Sequence, residues 1–333
     1  MDPKQVLFLA ERPEDLQDWK PVEVQLRRDP RCGLRTTVCT PDQAASAVSD
    51  RTFDLLVATH SHVHRPRFGY ARSLCLPSTA TLEERGARPS NSPNIEWDAI
   101  CFGGHDLDEP RGRLPRALRL LTGVPRLDAL VVTGRNTDLV ERLGLDPHLP
   151  TLVAAYTGAP VDATWLEAVR TGGPWNLLVV DPDPGCTRRA STSLDEGGHG
   201  MPRVRMLRGE DPIPLMLAAD LLLTDRPGWS HAFGLRRRPL LFGPPPDPTR
   251  VAARIRSALL PAATDEAMRP PSSGPFRPGE ASHRCAGVVR SMLGLGDASL
   301  TSFKVLPGLG PHAETHVLAA PRRRLGSLRQ LGT

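Results

Sequence analysis

Residues 211–244 read DPIPLMLAADLLLTDRPGWSHAFGLRRRPLLFGP, and their pattern decides the fold class. The segment predicts a helix over 212–219, a short aliphatic strand over 221–224, a second helix from Gly228 to Arg236 and a strand over 239–242. Strands this short and apolar, separated by helical stretches, belong to a parallel sheet covered by helices on its faces. The strand that ends before Asp225 and the helix that opens at Gly228 place free backbone N–H groups and the positive end of a helix dipole at the carboxyl edge of that sheet, where a diphosphate is readily held.

The same alternation extends in both directions. Towards the N-terminus, strands are expected at 152–156, 175–180 and 204–207, with a helix over 162–170; after Phe242 a helix over 248–260 is expected. An earlier series has strands at 6–10, 34–39, 53–59, 72–76 and 99–102, and a helix over 41–49 with Thr40 as N-cap and Pro41 in its first turn. The sequence is 333 residues long, whereas single domains usually run about 100 to 200, so two domains are expected. Both read as Rossmann-like: an N-terminal one over 1–125 and a C-terminal one over 126–298, followed by a flexible basic tail over 299–333. Around TGVPRLDAL the stretch 114–145 carries helical periodicity on both sides and reads as a linking region. Residues 261–278 hold five prolines and few aliphatics and read as a mobile connection. The helix that follows, over 280–293, is a candidate to cross back onto the first domain.

The composition narrows the classes of function. Of 42 basic residues only Lys4, Lys20 and Lys304 are lysine, and the net charge of +5 therefore rests on arginine. Arginine pairs bidentately with phosphate, and a basic surface favours anionic substrates or an anionic membrane face; a solvated basic surface is the plainer account. No RNA-binding aromatic motif, zinc finger or heptad accompanies the charge, so nucleic acid is not expected as a partner. Cys32, Cys39, Cys75, Cys101, Cys186 and Cys285 are scattered without a CxxC pair, which fits reduced thiols in a cytoplasmic protein. The N-terminal apolar run is too short for a signal sequence, and no run approaches the ~18 residues of a membrane span.

The 211–244 segment also resembles the C-terminal signature of the CDP-glycerol glycerophosphotransferases of teichoic-acid synthesis, a helix, strand and helix of the type "ddI..ll..sD.LItDySS..fdf..l.kPiiff". Ala219 and Asp220, the strand ending in Thr224 and Asp225, Phe233 and Leu235, and Arg238-Pro239 follow it without a gap. TGVPRLD, residues 122–128, is similar to that family's "GyPR.D" at its domain junction, and with the order of elements the likeness covers about Phe53 to Leu293. The resemblance implies a GT-B arrangement, two Rossmann-like α/β domains facing a cleft, with the donor on the second domain and the acceptor on the first. It also implies two active-site histidines, and here the sequence departs. The first place reads Leu74-Cys75-Leu76-Pro77-Ser78-Thr79; the second reads Val180-Asp181-Pro182, and "DySS" has become Asp225-Arg226-Pro227-Gly228.

Candidate catalytic residues are accordingly Asp181, His105 and His60. Asp181 follows the strand NLLVV and suits a general base, although an Asp-Pro turn without function is the plainer account. His60, His62 and His64 form HSHVH after the strand FDLLVAT; one of them facing the site or a solvated loop are the alternatives, and no metal is expected. His105 follows Gly103-Gly104, which allow a close backbone approach to a ligand or simply make a turn. The donor-binding candidates are Asp225, Arg226, Gly228, Trp229, Ser230 and His231. Arg226 can replace the lost hydroxyl and amide contacts to a diphosphate or be a solvent-facing charge.

The resemblance implies transfer of a glycerophosphoryl or glycosyl unit from a nucleotide-activated donor, CDP-glycerol-like, to a polyol- or sugar-phosphate acceptor of a cell-surface polymer, lipid-linked in one version. No cofactor is implied. The expected place is the cytoplasm, with peripheral contact to the anionic inner membrane face as a further expectation. The alternative is a non-catalytic homologue that binds a nucleotide or glycan.

Overall fold

The computed structural model describes residues 2–10, 15–38, 53–59, 72–77, 79, 97–103, 118–157, 161–181, 203–208, 211–260, 279–295 and 304–305. Along the chain come β1 (Lys4–Ala10), α1 (Asp15–Arg27), β2 (Cys32–Val38), β3 (Leu55–Thr59), β4 (Ser73–Leu76), β5 (Ala99–Phe102), β6 (Leu118–Leu121) and α2 (Asp128–Val132). Then follow α3 (Thr137–Arg142), β7 (Thr151–Ala155), α4 (Ala163–Thr171), β8 (Asn176–Asp181), β9 (Val204–Arg208), α5 (Pro212–Ala218) and β10 (Leu221–Thr224). The last elements are α6 (Pro227–Gly234), β11 (Leu240–Phe242), α7 (Pro248–Leu259), α8 (Ala281–Met292) and β12 (Lys304–Val305). The helix expected over 41–49 and the connection over 261–278 lie outside the described residues. The chain divides into two compact units, one of residues 1–128 with 274–333, the other of residues 129–273.

The first unit is built on a seven-stranded sheet in the order β12-β6-β5-β4-β3-β1-β2, parallel except where β12 runs against β6. Side chains alternate across it. Val6, Phe8 and Ala10 of β1 face Trp19, Val22 and Leu26 of α1 and Cys285, Val288, Val289 and Met292 of α8, whereas Leu7 and Leu9 face the opposite layer with Phe53, Leu56 and Ala58. Both faces are covered, the usual condition of a parallel sheet. The Phe8 and Trp19 rings lie with centroids 5.7 Å apart. β6 and β12 were not foreseen: the 118–121 segment fell inside the expected helical linker, because leucines at 114, 118, 120 and 121 fit both a helical and an extended face.

The second unit has a five-stranded, wholly parallel sheet in the order β11-β10-β7-β8-β9. Numbered within the unit this is 3-2-1-4-5, the doubly wound order, and the order reverses between β7 and β10. One face packs Leu152, Ala154, Leu177, Val179, Leu221 and Leu223 against Trp165, Leu166 and Val169 of α4 and Val251 and Ile255 of α7. Its helices begin where the sequence supplies acceptors for free amides: Asp162 accepts from Trp165 N at 2.7 Å, Asp211 from Ile213 N at 3.0 Å and Asp247 from Thr249 N at 2.8 Å. In the last two, proline follows the aspartate at the first helical position.

Register in both sheets is pinned by aspartates at the amino edge. Asp54, Asp98 and Asp220 each stand one residue before a strand and accept the backbone N–H at the start of the neighbouring strand: Gln5 N at 2.8 Å, Ser73 N at 2.7 Å and Thr151 N at 2.9 Å. Asp220 also pairs with Arg135 at 3.1 Å and Arg238 at 3.7 Å. Asp220, from the family-like segment, thus serves the amino edge of its sheet. Arg236, at the start of the basic run 236–238, donates to Leu130 O at 3.2 Å and Thr133 O at 3.3 Å, closing the end of α2.

Candidate functional site

The carboxyl edge of the second sheet is the place to look, because a doubly wound sheet opens there at the point where strand order reverses. At that point Asp225 follows β10 and Thr157 follows β7. The Thr157 N–H donates to Asp225 Oδ1 at 2.8 Å and its hydroxyl to Oδ2 at 2.7 Å, so one carboxylate ties the two diverging chains together. Beneath it the Thr224 hydroxyl donates to Ala155 O at 2.6 Å and accepts from Arg226 N at 3.0 Å. The turn that launches α6 is therefore fixed by three consecutive residues.

Arg226 is the N-cap of α6, and its side chain supplies no cap bond. It is buried, 6% exposed, with its guanidinium 5.4 Å from the centre of the Trp229 ring and donating to Tyr156 O at 3.5 Å. That placement is cation–π packing under the site and differs from a solvent-facing charge. Pro227 has no N–H to give, and Ser230 N already donates to Arg226 O at 3.0 Å. By helix geometry the amides of Gly228 and Trp229 are the ones left without intrahelical partners. Ser230 turns its hydroxyl back to Pro227 O at 2.9 Å, and His231 stands half-buried one turn in. Asp225, Arg226, Gly228, Trp229, Ser230 and His231 are thus brought together, with the amide of Gly228 and the Asp225 carboxylate at the turn itself.

Asp181 is the last residue of β8, in register with Arg208 of β9, and so its backbone stands on this same edge, two strand spacings or roughly 10 Å from β10. His60 and His105 lie outside the described residues, as do His62 and His64. Among the described residues no group of three His, Cys, Asp or Glu side chains could hold a metal ion, and no helix is long and apolar enough to cross a membrane. Cys32, Cys75, Cys101 and Cys285 are free thiols. Cys101 is completely buried, and burial, then its contact with Cys285, pushes its pKa well up, so it has no thiolate character to lend to chemistry.

Sequence reasoning missed Tyr156 and Thr157. Nothing in AAYTGAP marks Thr157 as the partner of a residue 68 positions on; only the pairing of β7 with β10 does. Tyr156 packs edge-on to Trp165, centroids 6.2 Å apart and planes at 85°. Its hydroxyl pKa is raised, first by burial and then by the charge of Asp225, with Arg254 opposing.

In the first unit the residues of TGVPRLD form a clasp. Gly123 has φ +80°, and a side chain there would meet Ala281 Cβ at 3.0 Å. Arg126 reaches Thr79 Oγ1 at 3.2 Å and Asp18 at 3.6 Å, while Thr79 donates its hydroxyl and its N–H to Asp18. Asp128 accepts from Ala281 N at 2.9 Å and Ser282 N at 2.7 Å, capping α8, and Arg284 Nε donates to Thr122 O at 2.8 Å. Thr79 lies in the stretch where the family resemblance expects its first histidine, and it is committed to the buried Asp18.

No family model matches the chain, and no curated protein matches it in sequence. Solved structures match its fold. A variant of the wall teichoic acid polymerase TagF soaked with CDPG superposes with TM-score 0.60 and 15% identity over 89% of this chain and 90% of that one. A UDP-N-acetylglucosamine 2-epimerase does so with TM-score 0.56 and 16% identity over 89% and 97%. The S. aureus MnaA–UDP complex does so with TM-score 0.54 and 10% identity over 88% and 98%. At such identities the likeness shows the fold alone: the chain is an α/β protein of two Rossmann-like units with a GT-B-like fold.

Proposed function

We propose that this protein is a GT-B transferase that takes a nucleotide-activated donor on its second unit and moves a glycerophosphoryl or glycosyl unit to a polyol- or sugar-phosphate acceptor of a cell-surface polymer. The observation that carries the reading is the turn after β10, where the Asp225–Thr157 bridge holds the start of α6 open at the reversal point of the sheet. Two free amides and a helix dipole there suit a diphosphate. The solved TagF variant was soaked with CDPG and the MnaA structure holds UDP, and both share this fold. The family-like 211–244 segment narrows the donor to a CDP-glycerol-like one. The domain roles, donor on residues 126–298 and acceptor on residues 1–125, and a peripheral place on the inner membrane face are part of the same proposal.

In the phosphoryl version an acceptor hydroxyl forms a bond to the donor's β-phosphorus, the bond from that phosphorus to the bridging oxygen breaks, and the nucleoside monophosphate leaves. The hydroxyl proton passes to a base, for which Asp181 at the end of β8 is the first candidate and His105 and His60 the others. Asp225, Arg226, Gly228, Trp229, Ser230 and His231 make up the donor site. A positioned base contributes roughly 10²- to 10⁴-fold, so Asp181→Asn, which keeps shape and removes basicity, should lower kcat by that order with little change in donor affinity. A second reading, a nucleotide-binding homologue without turnover, draws on Arg226 being folded onto Trp229 and Tyr156 O. Isothermal titration with CDP-glycerol and nucleotide sugars, followed by a turnover assay on each binder, separates the two. Binding with turnover supports the transferase, binding without turnover supports the second reading, and no binding refutes both.

A further inference from the structure

Among the described residues, the indole N–H groups of Trp19, Trp165 and Trp229 and the hydroxyl of Tyr156 are buried without a hydrogen-bond partner. Trp175, in the core of the second unit, donates its indole N–H to Val169 O at 2.9 Å. Tyr156 and Trp165, in the same core, differ. Each is 3% exposed, the two rings are in edge-to-face contact, and neither the Tyr156 hydroxyl nor the Trp165 indole N–H has a hydrogen-bond partner. A buried donor left unmade costs about 1 to 3 kcal/mol, and native structures keep few of them. Two in one contact, directly after β7 at the reversal point of the sheet, mark a place where an acceptor is missing from the free protein.

We infer that Tyr156 and Trp165 are specificity-determining residues that present their O–H and N–H to an uncharged oxygen of the donor's nucleoside, a base carbonyl or a ribose oxygen. This rests on the proposed donor site. Its chemistry follows from the neighbours. Both groups are neutral donors within an apolar core, which suits an uncharged acceptor oxygen better than a charged one. The phosphates instead belong at the first turn of α6, where the amides of Gly228 and Trp229 have no intrahelical partners. A side-chain rotation, the ordinary scale of change on binding, brings the pair within reach of a ligand.

Tyr156→Phe removes one oxygen and keeps the ring. If the hydroxyl is reserved for a ligand, the free variant melts no lower than the wild type, because a buried group without a partner has been deleted. Its affinity for CDP-glycerol, CDP or UDP falls roughly 3- to 10-fold, the worth of one neutral hydrogen bond, and its affinity for inorganic pyrophosphate is unchanged. A lower Tm with unchanged nucleotide affinity overturns the inference, since the hydroxyl is then structural. An equal loss for pyrophosphate also overturns it, because the contact is then to phosphate. A wild type that none of these nucleotides binds overturns the donor-site reading itself, whereas a wild type that binds as tightly as Tyr156→Phe overturns only the inference. Should the variant not fold, the wild type still decides: the Trp165 indole N–H resonance, assigned with Trp165→Phe, shifts on saturation with nucleotide if the inference holds and stays in place if it does not.

Discussion

Replacing Asp128 with alanine tests whether TGVPRLD is a clasp. The Asp128 carboxylate is 8% exposed and accepts two amides, Ala281 N at 2.9 Å and Ser282 N at 2.7 Å, that open α8 more than 150 positions along the chain. Ala281 and Ser282 are themselves buried, so water does not readily replace the lost acceptor. An N-cap is worth about 0.5 to 2 kcal/mol, and hydrogen bonds to a charged group about 1.5 to 3 kcal/mol each before relaxation. Together they set the expected loss at about 2 to 4 kcal/mol. Because the bonds lie wholly within the first unit, the loss should be local. Hydrogen exchange read by mass spectrometry on peptides covering 281–292 should speed up roughly 30- to 1,000-fold, since each 1.4 kcal/mol is tenfold. Peptides from β7, β8 and β10 should hardly change. Asp128→Asn keeps one acceptor oxygen and should lose about half as much. Protection of α8 within threefold of wild type in Asp128→Ala, with the fold intact, refutes the clasp, and so does a loss spread evenly over both units.

Arg226→Ala is expected to weaken donor binding by about 1 to 3 kcal/mol in a calorimetric titration, and Arg226→Lys, which keeps the charge but loses the guanidinium over Trp229, should recover only part of it. Asp220→Ala removes the acceptor of Thr151 N and the partner of Arg135 at the amino edge of the second sheet; urea unfolding should show a loss of about 2 to 4 kcal/mol with donor affinity unchanged, and a loss of affinity at constant stability would contradict that role. Asp29 is held down to about 2, chiefly by its hydrogen bond from Arg31 and with Arg290 of α8 also close. A carboxyl depressed in the folded state stabilises fully above its unfolded value near 4 and loses that contribution as pH falls towards 2, so the wild type's urea midpoint should drop across this window and Asp29→Asn should drop less.

How far the sequence reaches is seen by comparing the two edges of each sheet. Runs such as LLVV and LLLT are buried on both faces and read as strands without ambiguity, and Asp-Pro pairs at 211–212 and 247–248 cap helices by local chemistry alone. From such local signals the two Rossmann-like series were legible. β6 was not, because RALRLL satisfies a helical and an extended period at once, and β12 is two residues whose pairing only the sheet specifies. The resemblance to a transferase signature matched Asp220, Asp225 and Asp128 alike and gave a role to Asp225 alone. The fold separates them: Asp220 lies at an amino edge and pins register, Asp128 caps a returning helix, and only Asp225 stands at a carboxyl edge where strand order reverses. Motif spacing cannot make that distinction, since it depends on which end of a strand a residue occupies and on a partner, Thr157, supplied by another strand. The same holds for Tyr156 and Trp165, whose unpartnered donors become visible only once the core around them is closed. The residues that a local code specifies here are those that stabilise, whereas Thr157 and the unpartnered donors of Tyr156 and Trp165 emerge only from pairing across the sheet.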